Sequence, residues 1–419
     1  MEPVRSVDKG FSPLDKELEL DGSDLTPHAQ EGLARLAAWV PFGPAAQLIE
    51  ALLGVQVSKA SARRFTLQTG EAALQEWENE AEEIQQDQPE ARPGAERQVM
   101  SADGAMVPLV GGVWAEAKTL VIGAVKVTEA GKPQLQGLSY CSRLADVPDF
   151  EKATLVETHR RGLEHAHEVA AVMDGAGWLQ GVIDYHRADA VRILDFPHAA
   201  EYVSAVGEAV QRAGHRLPKN WLQGVLHRLK HEGPERVLRH LSRLCQRCTD
   251  PEIGKKLQYL STRSSQMQYP TYQAAGWPIG SGRVESANKL VVEARLKGAG
   301  MHWKRENVNP MLILRNTVCN ERWEETWQIR MKHQQQSQKR EREEHTQMRL
   351  AQAEARILLL LLRWSPPKPR PMETATPPAL SQPTAAPTPV TAGPHRPPAT
   401  HPWRRLCVAK PNNTVSAKL

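Results

Sequence analysis

The stretch from Arg97 to Leu194 constrains the fold most, because its apolar residues follow the two-residue period of β-strands. Three runs rich in β-branched residues come first and predict an antiparallel meander. Two shorter runs follow, each after a helical segment, which predicts an α/β fold with a mixed sheet flanked by helices. The predicted strands are Arg97 to Leu109, Ala115 to Val127, Gln134 to Cys141, Val169 to Met173 and Val191 to Leu194.

Residues 1–96 form a predicted N-terminal helical region. Gly54 and Ser58 separate two helices, and the second helix carries Arg63 and Arg64, an arrangement that resembles a helix-turn-helix. Any two helices joined by a glycine can give this pattern, so DNA binding and plain packing both remain open. The acidic, Gln-rich residues 71–97 predict a solvated helix and linker.

The remaining chain divides by composition. Residues 97–320 are the predicted catalytic domain, with an all-α insertion at about 212–265, and residues 321–364 predict one long charged helix. Residues 365–419 are rich in Pro, Ala and Thr, and we expect this Pro-rich tail to be disordered because it cannot bury enough apolar surface.

Charge and cysteine content narrow the functional classes. The chain has 53 basic and 48 acidic residues and a net charge of +5, which suits a polyanionic partner without demanding one. Five cysteines give no disulfide framework, so we expect a reducing, cytoplasmic environment. No signal peptide is evident, and the longest aliphatic run, Ile357 to Leu362, is too short to span a bilayer.

Three acidic residues are candidate metal ligands. Asp103 and Asp174 each follow an apolar strand-like run, and Glu285 lies in the first helical turn after the glycine-rich segment Gly276 to Gly282. If the two strands are adjacent and parallel, their carboxyl ends meet at one sheet edge. Three such carboxylates suit a divalent-metal site that cuts phosphodiester bonds. The alternatives are Asp-Gly turns and a Glu favoured by the helix dipole.

Three segments together resemble bacterial insertion-sequence transposases of the ISKra group, which are DDE transposases with a ribonuclease-H-like core. The segments are Ser101 to Val107, Leu194 to Ala199 and Gly280 to Trp303. The resemblance extends from about Phe11 to Trp364. It implies a ribonuclease-H-like mixed sheet with a helical insertion between the second catalytic Asp and the catalytic Glu.

The resemblance also implies the chemistry and the partners. Asp103, Asp174 and Glu285 would bind two Mg²⁺ ions, with Mn²⁺ as a substitute, for strand cleavage and strand transfer. The expected partners are double-stranded DNA, as transposon terminal inverted repeats and target, and further copies of the chain in a homodimer or larger synaptic complex. The expected location is the bacterial cytoplasm, associated with the nucleoid.

Asp195 and His198 are ambiguous. Asp195 also ends an apolar run, so it competes with Asp174 as the second metal ligand. Related transposases carry a Cys- or Asp-x-x-His element after the second catalytic Asp, which implies a supporting role for Asp195 and His198. The alternative is an ordinary N-cap Asp with a helix His.

Basic and aromatic residues near these segments are candidate DNA contacts, since cations bind phosphate and aromatic rings stack on unpaired bases. For Trp303 a core position is an equally good interpretation. An alternative function is a non-catalytic helix-turn-helix DNA-binding protein or an inactive transposase remnant. The candidates are Arg63, Arg64, Arg283, Lys289, Arg295, Lys297 and Trp303.

Overall fold

A five-stranded mixed sheet flanked by helices forms the centre of the protein, as predicted. The computed structural model describes residues 25–129, 131, 133–246 and 251–363. The sheet order is β3-β2-β1-β4-β5, and among these strands only β2 runs antiparallel to the rest. The strands are β1 (Arg97–Pro108), β2 (Trp114–Val127), β3 (Pro133–Arg143), β4 (Glu168–Met173) and β5 (Val191–Leu194).

Helices precede, separate and follow the strands. Short 3-10 turns at Leu163–His165, Ser264–Met267 and Arg305–Asn307 complete the pattern, together with a π turn at Asn288–Glu293. The helices are α1 (Pro27–Trp39), α2 (Phe42–Leu53), α3 (Lys59–Asp87), α4 (Val147–Arg160), α5 (Gly177–Arg187), α6 (Phe196–Arg212), α7 (Trp221–Glu232), α8 (Pro234–Cys245), α9 (Pro251–Thr262), α10 (Tyr269–Ala274), α11 (Gly282–Ala287), α12 (Ala294–Leu296), α13 (Val308–Cys319) and α14 (Trp323–Arg363).

The outer edge of β3 is covered by three asparagines of α13 and its C-cap. The side chain of Asn316 accepts a hydrogen bond from the Ser142 N–H at 3.1 Å and donates to the Ser142 carbonyl at 3.2 Å. Asn309 makes the same pair of bonds to Leu144, and Asn320 makes it to Tyr140. Alternate residues of an edge strand point their backbone groups outward, so these amides complete the hydrogen bonds that a sixth strand would otherwise make.

The N-terminal helices have well-defined ends. Gly54 closes α2 in a left-handed conformation with φ 68°, and the Ser58 hydroxyl caps α3 by accepting from the Ser61 N–H at 3.0 Å. The predicted helix within residues 71–97 is confirmed, but the prediction that it is solvated is wrong. Helix α3 continues to Asp87 and buries Trp77, whose indole N–H donates to the Ala153 carbonyl at 2.7 Å.

The predicted insertion forms helices α7 to α9 and packs onto α6 and the β4–β5 end of the sheet. Contacts divide the chain into a compact unit at Met1–Arg349 and a second unit at Leu350–Leu419. Of the second unit the structure describes only the helical residues up to Arg363, so the predicted disordered tail lies outside the described residues. Within the described part of the chain, no helix is both long enough and apolar enough to span a membrane.

Candidate active site

Asp103 and Asp174 lie at the same position along two adjacent parallel strands. The parallel pairing of β1 with β4 ends at Met100 opposite Ala171, and each Asp lies three residues further along its chain. Asp103 lies inside β1, as the predicted strand Arg97 to Leu109 has it, and β1 continues to Pro108 in antiparallel pairing with β2. The Asp-Gly turn interpretation is therefore wrong for Asp103, whereas Gly175 does form a left-handed turn with φ 79° after Asp174.

Asp103 is half-buried and both of its carboxylate oxygens accept hydrogen bonds. One accepts from the Gly104 N–H at 2.7 Å, and the other accepts from the Asn288 side-chain amide at 3.0 Å. Burial raises the pKa of Asp103, and the negative charges of Asp174 and Glu285 raise it further, against the two hydrogen bonds. The bond from Asn288 brings the helix that carries Glu285 to the Asp103 strand, next to the strand that Asp174 follows.

The Asp174 loop is held by the helical insertion. The Asp174 carboxylate accepts from the Ala176 N–H at 2.8 Å, which stabilises the turn. The hydroxyl of Tyr259, on α9, donates to the Asp174 carbonyl. The Arg263 guanidinium donates to the Gly175 carbonyl at 3.1 and 2.9 Å. The insertion therefore fixes the backbone of this loop through its carbonyl groups.

Glu285 lies in the first turn of α11 and its side chain is exposed. The same helix continues through the π turn, whose first residue, Asn288, is 5% exposed and binds Asp103. Asn288 was not among the predicted site residues. A signal was present in the sequence, since Asn288 follows Glu285 by three residues and so lies on the same helix face.

Asp195 is the N-cap of α6, as one of the two sequence interpretations proposed. One carboxylate oxygen accepts from the His198 N–H at 3.2 Å, and the other accepts from the Ser281 N–H at 2.6 Å. Burial raises the pKa of Asp195, and these hydrogen bonds oppose that shift. Because Ser281 immediately precedes α11, Asp195 ties the start of the Glu285 helix to the end of β5. The His198 ring packs against Tyr202 and Tyr259.

The donor set at this edge is suited to a hard divalent cation. The set consists of carboxylate oxygens, which such cations prefer. The side-chain oxygen of Asn288 is a further candidate ligand, because it is buried without a hydrogen-bond partner among the described residues. A cation would also offset the repulsion that Asp103 experiences from its two neighbours. As the side chains stand, however, no group of three or more His, Cys, Asp or Glu residues in the described chain is close enough to hold a metal. Metal binding would require these acidic side chains to adopt other rotamers.

Five of the predicted DNA contacts are on the surface. Arg283 and Lys289 are exposed on the helix that carries Glu285. Lys297 is exposed and pairs with Glu293 at 2.7 Å. Arg63 and Arg64 are exposed in the first turns of α3.

The other two predicted DNA contacts are corrected, because both side chains lie in the core. Arg295 is 2% exposed and donates to the Ala37 carbonyl at 2.8 Å. Trp303 is 6% exposed, and its indole N–H donates to the Leu296 carbonyl at 3.2 Å. The segment around Trp303 also bonds to β1 through the Pro108 carbonyl, so its basic neighbours point outward while the ring packs inward.

Comparison with known proteins leaves the site to be interpreted from its own geometry. No protein-family model matches this chain, and a search of curated proteins gives no match.

Proposed function

We propose that this protein is a DNA transposase of the DDE type, with a ribonuclease-H-like core. It would cut phosphodiester bonds at the ends of a mobile DNA element and join the freed ends to target DNA. The observation that supports the proposal is that Asp103 and Asp174 have matching positions on two adjacent parallel strands, with the Glu285 helix bonded to Asp103 through Asn288. The strand order, with β1 at the centre and β2 alone antiparallel, supports the ribonuclease-H-like assignment.

Asp103, Asp174 and Glu285 would hold two Mg²⁺ ions, with Mn²⁺ able to replace them. The bound cations would supply Lewis-acid stabilisation of the negative charge that builds on the phosphate under attack. Asn288 keeps the Asp103 carboxylate oriented through its hydrogen bond. Asp195 fixes the start of the Glu285 helix, and the Tyr259 hydroxyl fixes the backbone at Asp174.

The exposed basic residues would hold the DNA. Arg283 and Lys289 flank Glu285 in the chain, so phosphates bound there would lie beside the carboxylates. Arg63 and Arg64 lie on α3, the second helix of the helix-turn-helix-like pair, and would contact the DNA further from the cut. Two DNA ends must be brought together for transfer, so a homodimer or a larger complex is the expected form, in the bacterial cytoplasm.

The experiment uses labelled duplex DNA that carries the sequences flanking the protein's own coding region, incubated with the purified full chain and Mg²⁺. The proposal expects end-specific nicks and joined products, both lost in Asp103→Asn and Glu285→Gln. Asp87→Asn is the matched control, since Asp87 is an exposed acidic residue at the end of α3.

A non-catalytic DNA-binding protein is the second candidate. The observation that favours it is that the acidic side chains, in their present rotamers, do not form a ready metal-binding group within the described residues. Binding of the same DNA without nicking, in Mn²⁺ as well as in Mg²⁺, would establish this function and exclude the transposase.

A further inference from the structure

The π turn at Asn288–Glu293 brings Asn288 to Asp103. It lies within one continuous helical segment, between α11 and α12. A π turn contains one residue more than an α-helical turn. A carbonyl group in it therefore no longer accepts a hydrogen bond from the N–H group four residues later in the chain. Side chains that bind its carbonyl groups can stabilise such a turn.

Arg315 of α13 donates hydrogen bonds to this π turn. Its guanidinium donates to the Val291 carbonyl at 3.2 Å and to the Leu290 carbonyl, both within the π turn. The third nitrogen donates to the Ala38 carbonyl in the last turn of α1 at 3.0 Å. One planar group therefore bonds to the π turn on one side and to an N-terminal helix on the other.

The burial of Arg315 makes this contact unusual. The residue is 1% exposed, and no carboxylate in the described part of the chain pairs with it. A buried cation is costly unless its donors are satisfied, and here backbone carbonyls and the Trp39 ring, 4.3 Å from the guanidinium carbon, take the place of a counter-ion. Burial lowers the pKa of Arg315 accordingly.

Arg295 reinforces the same junction. Its guanidinium donates to the Ala37 carbonyl, next to the carbonyl that Arg315 binds. The last carbonyls of a helix lack intrahelical partners and carry the negative end of its dipole. The C-terminus of α1 thus offsets part of the charge of two buried arginines, and both arginines connect it to the helical segment that carries Glu285 and Asn288.

We propose that Arg315 is a positioning residue of the acidic site: it holds the π turn in the shape that brings Asn288 to Asp103, and it makes that shape depend on the docking of α1. The structural part of the inference is independent of the transposase proposal, and its consequence for DNA cleavage rests on that proposal. Movement of the N-terminal helices, on whose α3 Arg63 and Arg64 lie, would then reach the Asp103 carboxylate through Arg315 and Asn288.

The test compares two buried arginines that bind α1. Arg330 is 8% exposed, stacks on Trp327 and donates to the Gln30 side chain of α1 at 2.9 Å, but makes no bond to the π turn. Lysine keeps the charge and loses the planar fork, so Arg315→Lys and Arg330→Lys are matched changes. Amide hydrogen exchange of residues 290–296 in the full chain is the first measurement.

We expect Arg315→Lys to speed exchange at residues 290–296 at least about tenfold, since charged hydrogen bonds to two carbonyls are lost. Arg330→Lys should leave these amides unchanged. In DNA cleavage, Arg315→Lys should lower kcat about tenfold with an unchanged KM for the DNA, because Arg315 contacts no ligand. Trp39→Ala is a milder second variant, since Trp39 is 46% exposed, and it should speed exchange at the same amides to a smaller degree.

Unchanged exchange in Arg315→Lys would overturn the proposal, as would an equal increase in Arg330→Lys, which would indicate general loosening. If Arg315→Lys does not fold, the Trp39→Ala variant takes its place, and unchanged exchange at residues 290–296 in that variant would overturn the proposal. If the wild-type protein cleaves no DNA, the transposase proposal fails, while the exchange contrast between the two arginines still decides whether Arg315 positions Asn288.

Discussion

The two aspartates at the sheet edge are held by different peripheral regions, and the two regions hold them differently. On the Asp103 side, Arg315 is fully buried and bonds to carbonyls of the π turn and of α1. On the Asp174 side, Tyr259 and Arg263 are only half-buried and bond to the carbonyls of the Asp174–Gly175 turn. In both cases the supporting side chains bind backbone carbonyls and leave the carboxylates to other partners.

The difference in burial predicts that the two sets of contacts open with different ease. A contact in the core breaks only when the surrounding packing breaks, whereas a half-exposed contact on a surface loop can open locally. We therefore expect the Asp103 side to remain fixed and the Asp174 side to adjust when DNA or cations bind.

The largest expected effect comes from removing the negative charge of Asp103. Asp103→Asn should reduce DNA cleavage on the order of a thousandfold or more, because several kcal/mol of transition-state stabilisation are lost. Its free energy of unfolding should stay within about 1 kcal/mol of wild type, because repulsion by Asp174 and Glu285 disappears with the charge. Gel-based cleavage and urea unfolding measure the two quantities. Chelation of Mg²⁺ with EDTA should stop cleavage by the wild-type protein equally, and cleavage that survives either change would exclude this site.

Acid should weaken the packing of α5, the helix that follows the Asp174 turn, against α4. His186, on the helix after the Asp174 turn, lies 2.8 Å from the Thr154 hydroxyl, and burial lowers its pKa from 6.5 to about 4. Between pH 4 and pH 6.5 the unfolded chain binds more protons at His186 than the folded chain does. Neutral His186 therefore contributes about 3 kcal/mol to the free energy of unfolding above pH 6.5, and this contribution is lost as the pH falls toward 4.

Urea unfolding of wild type and His186→Gln at pH 7 and at pH 4.5 measures this contribution. The difference in stability between the two pH values should shrink in His186→Gln and should remain in the control His198→Gln. Equal pH dependence in wild type and His186→Gln would refute the assignment.

A substitution in the Asp174 turn tests how far that side can adjust. Gly175 has φ 79°, and a Cβ there would lie 2.8 Å from the Tyr259 hydroxyl and from Arg263 Nε. Gly175→Ala should therefore destabilise the fold by about 1–2 kcal/mol and reduce cleavage. Gly177→Ala is the control, since nothing lies within 4 Å of its added methyl group. Thermal unfolding compares the two variants, and equal melting temperatures would show that the turn is not strained by a side chain.

The smallest expected effect isolates one hydroxyl. Tyr259→Phe removes the bond to the Asp174 carbonyl and should cost about 1 kcal/mol of stability. Tyr272→Phe makes the same chemical change where the hydroxyl binds the Ser265 carbonyl at 2.5 Å, away from the site. Both variants should lose similar stability in urea, but only Tyr259→Phe should lower kcat for cleavage. Equal cleavage by the two variants would mean that the insertion does not position Asp174.

The strands and the acidic positions could be predicted because their signals are local. Alternating apolar residues gave all five strands to within two residues at each end. The N-cap interpretation of Asp195 was available for the same reason, because a cap is decided within four residues.

What could not be predicted depends on partners far apart in the chain. Arg295 was predicted to be a surface cation because the group that accepts its hydrogen bond, the carbonyl of Ala37, lies 258 residues earlier in the chain. Trp303 is buried because its segment joins the end of β1. The burial of one face of α3 was missed because its apolar residues, Trp77 among them, are few among many acidic residues.

The three asparagines that cover β3 come from chain positions 165 to 180 residues later. During synthesis, β3 therefore leaves the ribosome roughly ten to thirty-five seconds before its cover, at ordinary elongation rates of about 5–20 residues per second. Throughout that interval the nascent sheet presents an open edge to other chains. Production of the intact protein should therefore depend on chaperone supply and on slower growth, and fragments that stop before α13 should be recovered mainly as insoluble material.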